Sequence, residues 1–333
     1  TESLQLQIAE LALEQLGDHA RALMALEVVL ARAPTNEDAL QMVRTIWDLE
    51  GSSAAMDSSL TESAVNEQTL GLLERAYEVS ERWEDLAALY EDALGRPMDD
   101  PLQEQTLLSL AEVKAQRLDD LEGAYQVHCQ LVESARDLEP HLTPLEALAE
   151  EISAWGQLVE FYERLADSGR GGVLLRRRAA EISYEILDDL PRALAHQQTL
   201  LAEDPRDEAA RDMVTRLLEE NQQWNGLVDH LRATAEVTRE PAVRFDYLVR
   251  AAEILEGELG RDTDAASLLQ TAVELAPSAA ETAEHLAELL IRSGDRERLH
   301  AHYRSWIERA EPKEMEGLQL RLAQSLLEEP GTA

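Results

Sequence analysis

The feature that most constrains this chain is a period of about 34 residues. RALMALEVVLARAP (Arg21 to Pro34), RALAHQQTLLAEDP (Arg192 to Pro205) and DAASLLQTAVELAP (Asp264 to Pro277) each place a small residue, Ala22, Ala193 or Ala265, twelve positions before a proline. RWEDLAALYEDALGRP (Arg82 to Pro97) fits the same frame, with Leu86 in the alanine's place, Tyr90 four residues later and Ala93 seven later. The equivalent residues along the chain are Ala22, Leu86, Ala124, Leu158, Ala193, Leu227, Ala265 and Leu299, at steps of 64, 38, 34, 35, 34, 38 and 34 residues. A chain built this way stacks small units that cannot bury their apolar faces alone, so each one is stabilised by its neighbours.

The unit resembles the tetratricopeptide repeat, a helix-turn-helix element with small residues where paired helices touch and a proline closing the second helix. The resemblance implies an all-α, right-handed α-solenoid of about eight or nine helix pairs. Some units depart from the family pattern: Arg136 stands where a proline would, and His128 and Gln197 occupy the usual aromatic place. Composition agrees with helices, since Leu, Ala and Glu dominate and aromatics are only 4%.

The first step of 64 residues is close to two units, so a further unit is expected between Ala22 and Leu86. NEDALQMVRTIWDLE supplies its first helix. Residues 51–66, GSSAAMDSSLTESAVN, read as a serine-rich loop or a degenerate second helix, the loop favoured because a serine-rich helix buries little apolar surface against its ordering entropy. This divides the chain into N-terminal helices over 1–50, the serine-rich segment 51–66, a continuous array over 67–312, and a further first helix over 313–333. That last helix either caps the stack or belongs to a truncated repeat.

A longer period overlies the short one. Ala9, Ala111, Ala180 and Ala252 share one role, the last three 69 and 72 residues apart, and Ala323 follows 71 residues later. Gly17, Gly260 and Gly331 fall eight residues after Ala9, Ala252 and Ala323. Units therefore alternate in type, which points to duplication of a four-helix block. Thr143-Pro144-Leu145-Glu146 and Ser278 with Glu281 read as helix starts with capping boxes, and Asp100-Pro101 as another start.

Charge limits the partners. The chain carries 67 Asp and Glu against 30 Lys and Arg, a net charge of −37, and residues 1–150 alone hold 31 acids and 9 bases. Nucleic-acid backbones and anionic membranes are poor partners for such a field. Cys129 is the single cysteine, so no intramolecular disulfide or cysteine metal cluster is available. No apolar run approaches the roughly 20 residues of a membrane span. A cytoplasmic location is expected. The absence of an initiating Met means that either a leader was removed or the chain is a segment of a longer one.

Candidate chemistry was weighed against packing. Trp83, Trp155 and Trp224 recur three residues before Leu86, Leu158 and Leu227, with Tyr90 and Tyr162 a turn beyond, a once-per-unit recurrence that reads as core. Asp99-Asp100, Asp119-Asp120 and Asp188-Asp189 fall at helix ends, where acids cap the next helix. The sequence lacks HExxH, a P-loop, a dinucleotide fingerprint and GxSxG, and Cys129 lies in an uncharged helical run. No catalytic, cofactor or metal site is expected. Arg176-Arg177-Arg178 would fan across a helix, and Arg292, Arg296, Arg298, Arg304 and Arg309 make the C-terminal region locally basic.

One position recurs as glutamate immediately after the small residue of a first helix: Glu10, Glu112, Glu181, Glu253 and Glu288. In the family this chain resembles, that place faces a concave groove, so the resemblance implies a carboxylate column suited to a basic or Arg-containing segment. The family's carboxylate-clamping set of Lys, Arg and Asn is missing here. The competing reading is that Ala-Glu is good helix sequence, with each Glu paired to a neighbouring Arg. The expectation is a non-enzymatic scaffold or adaptor that binds a basic peptide or subunit. Its alternative is a building block that contacts copies or other subunits edge to edge, and an enzyme ranks third.

Overall fold

The structure, a computed structural model, describes residues 2–53, 60–310 and 312–327, the side chains of 51–53, 60–66 and 312 excepted. Every regular element among the described residues is helical. Eight successive helix pairs carry the eight repeat markers. They are α1 (Glu2–Leu11, extended by a π-helical turn over Ala12–Leu16) with α2 (His19–Leu30), α4 (Leu60–Val79) with α5 (Trp83–Leu94), α6 (Asp100–Gln116) with α7 (Leu121–Ser134), and α8 (Glu139–Glu151) with α9 (Trp155–Asp167). The remaining four are α10 (Gly172–Glu185) with α11 (Leu190–Glu203), α12 (Glu208–Glu220) with α13 (Trp224–Val237), α14 (Pro241–Gly257) with α15 (Asp262–Leu275), and α16 (Ala280–Ser293) with α17 (Arg296–Arg309). Two helices stand outside these pairs, α3 (Glu37–Ser53) and α18 (Pro312–Leu327). The all-α repeat architecture expected from the period is the observed one.

One backbone device closes every pair. The residue five before each marker has a positive φ: Gly17 (62°), Glu81 (54°), Asp119 (55°), Ser153 (56°), Asp188 (53°), Gln222 (52°), Gly260 (62°) and Gly294 (72°). Left-handed backbone stops the first helix and reverses the chain, and short connections of this kind place the two helices antiparallel. Only three of the eight are glycine, although a side chain at such a φ carries strain.

The turns come in two lengths that alternate along the chain. The N–H of the residue after the left-handed one reaches back six residues in Asp18→Ala12 (3.0 Å), Asp120→Lys114 (2.8 Å), Asp189→Ser183 (2.7 Å) and Arg261→Leu255 (2.7 Å). It reaches back only five in Arg82→Tyr77 (2.9 Å), Ala154→Ala149 (2.7 Å), Gln223→Leu218 (2.9 Å) and Asp295→Leu290 (3.0 Å). Long and short turns therefore alternate through all eight pairs, giving the four-helix block of the sequence a hydrogen-bond definition.

The chain packs as two compact bodies, residues 1–161 and 162–333. In the first, Ala22, Leu26, Ile46, Leu73, Tyr77, Leu86 and Leu107 are almost fully buried in one core. The interval of 64 residues is filled differently from a complete helix pair. Helix α3 runs through Ser53, α4 starts at Leu60, and α4 packs on both α2 and α3 while also serving as the first helix of the pair with α5. The serine-rich segment is thus helical over 51–53 and 60–66, and residues 54–59 lie outside the described residues. Trp47 on α3, 3% exposed, ties this interval together: its indole Nε1 donates to Asp92 on α5 (2.6 Å), and the Arg96 guanidinium sits 3.7 Å from its ring and donates to its carbonyl (2.7 Å).

In the second body the cores are built pair by pair. Ala193, Leu217, Leu227 and Leu231 pack in one cluster, and Ala252, Ala265, Leu269, Leu286 and Leu299 in another. Two helix starts differ from expectation. α8 begins at Glu139 with Pro140 in its first turn and takes Pro144 inside the helix, where the first turns have spare N–H groups and tolerate it. α16 starts at Ala280 with no side-chain cap, so Ser278 does not form the expected box. Asp99, rather than Asp100, caps α6, accepting from the Leu102 N–H (3.0 Å).

Candidate interaction surface

Turn length decides which residue of a first helix lies on which face. In pairs with the six-residue turn, Ala9, Ala111, Ala180 and Ala252 lie eight residues before the left-handed residue and are 0–3% exposed, and the glutamate that follows each is exposed. In pairs with the five-residue turn the same two places fall one residue later. They are taken by Glu74, Glu146, Thr215 and Ala287, buried or half-buried, and then by Arg75, Ala147, Arg216 and Glu288, all exposed. A one-residue shift rotates a helix position by about 100°, so equal sequence spacing from the marker does not mean an equal face.

All five sequence-selected glutamates, Glu10, Glu112, Glu181, Glu253 and Glu288, therefore occupy one exposed place in the repeat. They do not form an unbroken series. In the first body Arg75 lies between Glu10 and Glu112, and Ala147 follows them; in the second, Arg216 lies between Glu181 and Glu253, and Glu288 follows. The sequence reading missed Arg75 and Arg216 because their helices lack the preceding small residue; the shorter turn is what reveals their equivalence. Arg75 lies 3.7 Å from Glu27, whereas Arg216 meets no carboxylate among the described residues. Glu181 lies 3.8 Å from Arg178, and no ion pair holds Glu10, Glu112, Glu253 or Glu288 among the described residues.

Most of the remaining arginines act as internal struts. Arg176 reaches Asp167 (2.7 Å) and Glu203 (3.8 Å), Arg177 reaches Asp207 (2.6 Å) and Arg178 turns to Glu181, so the basic run fans as its helical spacing requires. Arg192 grips Glu163 with two hydrogen bonds of 2.8 and 2.6 Å and holds that carboxyl below its usual range against the opposing effect of burial. Arg292 bridges Glu256 and Asp262, and Arg321 bridges Glu284.

The aromatic residues divide by burial. Tyr90 (3% exposed) and Tyr162 (0%) are core residues, while Trp83, Trp155 and Trp224 each start a second helix and are half-buried, with Arg117 stacked 4.7 Å from the Trp83 ring centroid. The Tyr90 hydroxyl hydrogen-bonds Glu74 and Ser109, and burial pushes both the tyrosine and the Glu74 carboxyl above their usual ranges. Cys129 is buried.

A concavity of about 370 Å³ between α6, α7 and α8 includes Asp100, Glu104, Arg136 and His141 in its lining. Its charges are already matched, with Arg136 at 2.7 Å from Asp100 and His141 at 3.4 Å from Glu104. Among the described residues, no group of three or more His, Cys, Asp or Glu side chains is placed to hold a metal ion, and no helix is long and apolar enough to cross a membrane.

A left-handed turn in every unit, a 34-residue step and paired helices joined through small residues define a tetratricopeptide-like helical repeat protein. No protein-family model and no curated protein matches the sequence. Among solved structures, the chain is similar to the TPR2AB domain of yeast Sti1 in complex with pHSP90, at 15% identity over 84% of this chain and 99% of that one, TM-score 0.28. It is also similar to yeast Tom70 (13%, 98% and 82%, TM-score 0.27) and to a tetratricopeptide repeat protein from Parabacteroides merdae (12%, 87% and 98%, TM-score 0.24). The likeness is to the helix-pair type alone.

Proposed function

We propose that this chain is a non-enzymatic protein-interaction scaffold whose exposed first-helix glutamates receive a basic, Arg-containing segment of a partner. One observation carries the reading. In a chain whose arginines mostly brace one helix against another, Glu10, Glu112, Glu253 and Glu288 recur at one exposed repeat position and are left without an internal counter-charge. Carboxylates so placed keep their hydrogen-bonding capacity for a guanidinium, whose planar fork matches them. The interleaved Arg75 and Arg216 would favour a segment that is not uniformly basic, with an acidic or neutral residue between its cations.

The test is titration of the full chain with a fluorescent peptide library varied in Arg content, at low and high salt. Binding should rise with Arg content, weaken with salt, and be lost in the variant carrying Glu253→Lys and Glu288→Lys. Equal binding by that variant would exclude this surface.

A second reading, a building block of a larger assembly, is favoured by exposed apolar side chains on α1 and α18: Leu4 (54% exposed), Leu11 (50%), Leu320 (60%) and Leu327 (79%). Sedimentation across concentration separates the two. Self-assembly without peptide affinity supports the building block, and a monomer that captures peptide supports the scaffold.

A further inference from the structure

The two bodies differ at a core position that is neither on the glutamate surface nor explained by it. Three residues after the repeat marker, the first body places Ala25, Leu89, Val127 and Phe161, all buried and apolar. At the same place the second body has His196, His230, Leu268 and His302. His196 and His302 are 5% and 2% exposed, and His230 is half-buried.

Each imidazole is held by a neighbouring helix. His302 Nε2 lies 2.9 Å from the Ala283 carbonyl of α16, and His230 Nε2 lies 3.2 Å from the Arg211 carbonyl of α12, in both cases nineteen residues back. A ring nitrogen facing a carbonyl must carry the proton, so the neutral tautomer already spends its one N–H there, and a second proton on Nδ1 would bring an additional charge into the packing. His196 Nε2 instead meets the Glu163 carboxylate at 3.0 Å.

The charges around them do not favour a cation overall. His302 faces Glu284 on α16, which Arg321 of α18 already bridges, and Arg309 on its own helix, with buried His300 two residues away and the Trp306 ring at 5.5 Å. The charged group acting on His230 is the Arg211 guanidinium. His196 has Glu163 opposite, but Arg192 on its own helix and Arg176 on α10 oppose its protonation. Burial is the largest influence on all three and holds each below the usual histidine range.

We propose that the second body is an acid-sensitive packing switch in which protonation of His302 and His230, with His196 contributing, loosens the helix pairs α16–α17 and α12–α13 as pH falls below about 6.5, while the first body stays packed. The direction follows from linkage. A histidine harder to protonate in the folded than in the unfolded state contributes full stability above its unfolded value, and the contribution declines as pH falls through that value toward the folded one.

Hydrogen exchange of the full chain, corrected for intrinsic rates and compared between about pH 7.5 and about pH 5.5, reads each body separately. Acidification should lower protection of α12, α13, α16 and α17 about tenfold more than that of α4 to α7, the change expected from one unit of pKa difference. That internal comparison matters because His128 and Glu74 in the first body also have shifted values. The variant with His230→Leu and His302→Leu, leucine being the residue at Leu89 and Leu268, should lose most of the difference. Should it fold poorly, His302→Gln and His230→Gln keep an N–H for the carbonyl without titrating. Equal loss of protection in both bodies of the wild type, or an unchanged acid response in the folded glutamine variant, would overturn the proposal.

Discussion

The backbone N–H of Asp189 donates to the carbonyl of Ser183, six residues back at 2.7 Å, a reach one residue longer than in the neighbouring pairs. That single residue sets the register of a first helix against its second. It makes Glu181 the structural counterpart of Arg216 rather than of Thr215, and so decides which charges share the exposed place in the repeat.

The left-handed residue of each turn offers a direct stability test. Gln222 has φ of 52° and Gly294 has φ of 72° with open space where a Cβ would stand. Gln222→Gly should stabilise by about 0.5–1 kcal/mol and Gly294→Gln should destabilise by about 1 kcal/mol, as a shift in urea midpoint at constant slope. Effects of the same sign would show that this backbone geometry is not what closes the turns.

The Arg192–Glu163 pair predicts a pH dependence. Arg192 first, and His196 after it, hold the Glu163 carboxyl below the usual range, so its contribution is complete above the ordinary glutamate value near 4.5 and disappears as pH falls through the folded value. With both side chains about a quarter to a third exposed, Arg192→Met should cost only about 1–2 kcal/mol at neutral pH. Denaturation curves of wild type and variant should converge towards pH 3; a gap that persists in acid would assign the loss to packing.

Burial separates the aromatic residues that the repeat places side by side. Tyr162 is fully buried, so Tyr162→Ala should cost about 3–5 kcal/mol. Trp155, half-buried at the start of α9, should cost about half as much on truncation to alanine. Melting temperatures of the two variants give the order, and a larger drop for Trp155→Ala would reverse it.

The charge of −37 predicts a salt response opposite to that of a protein held mainly by surface ion pairs. Screening relieves carboxylate repulsion over the whole surface but weakens only the exposed bridges, so the melting temperature should rise between low salt and about 0.5 M NaCl. A fall would mean that bridges such as Arg177–Asp207 and Arg250–Glu219 outweigh the net repulsion.

Much of the fold could be read from the residues because helix pairs are local objects. Spacing between Ala22, Leu86 and the later markers located the second helix of every pair, and Gly17 and Gly260 disclosed a turn that the structure repeats eight times. The candidate surface was legible only in part. Glu10, Glu112, Glu181 and Glu253 follow an alanine and stand out, but Arg75 and Arg216 share their place without sharing their flanks. Trp47 gave no periodic signal at all, since its partners Asp92 and Arg96 come from a helix more than forty residues away.

The sequence by itself determined the helices, their pairing and the repeat step, because small residues at helix contacts and left-handed turn residues act within a few tens of residues. Tertiary structure decided three things: that α4 serves α2, α3 and α5 at once, which charges are already spent between helices, and which imidazoles lie in the core. These depend on approach between helices and on a one-residue difference in turn reach, which rotates a face by about 100° while leaving the sequence period almost unchanged.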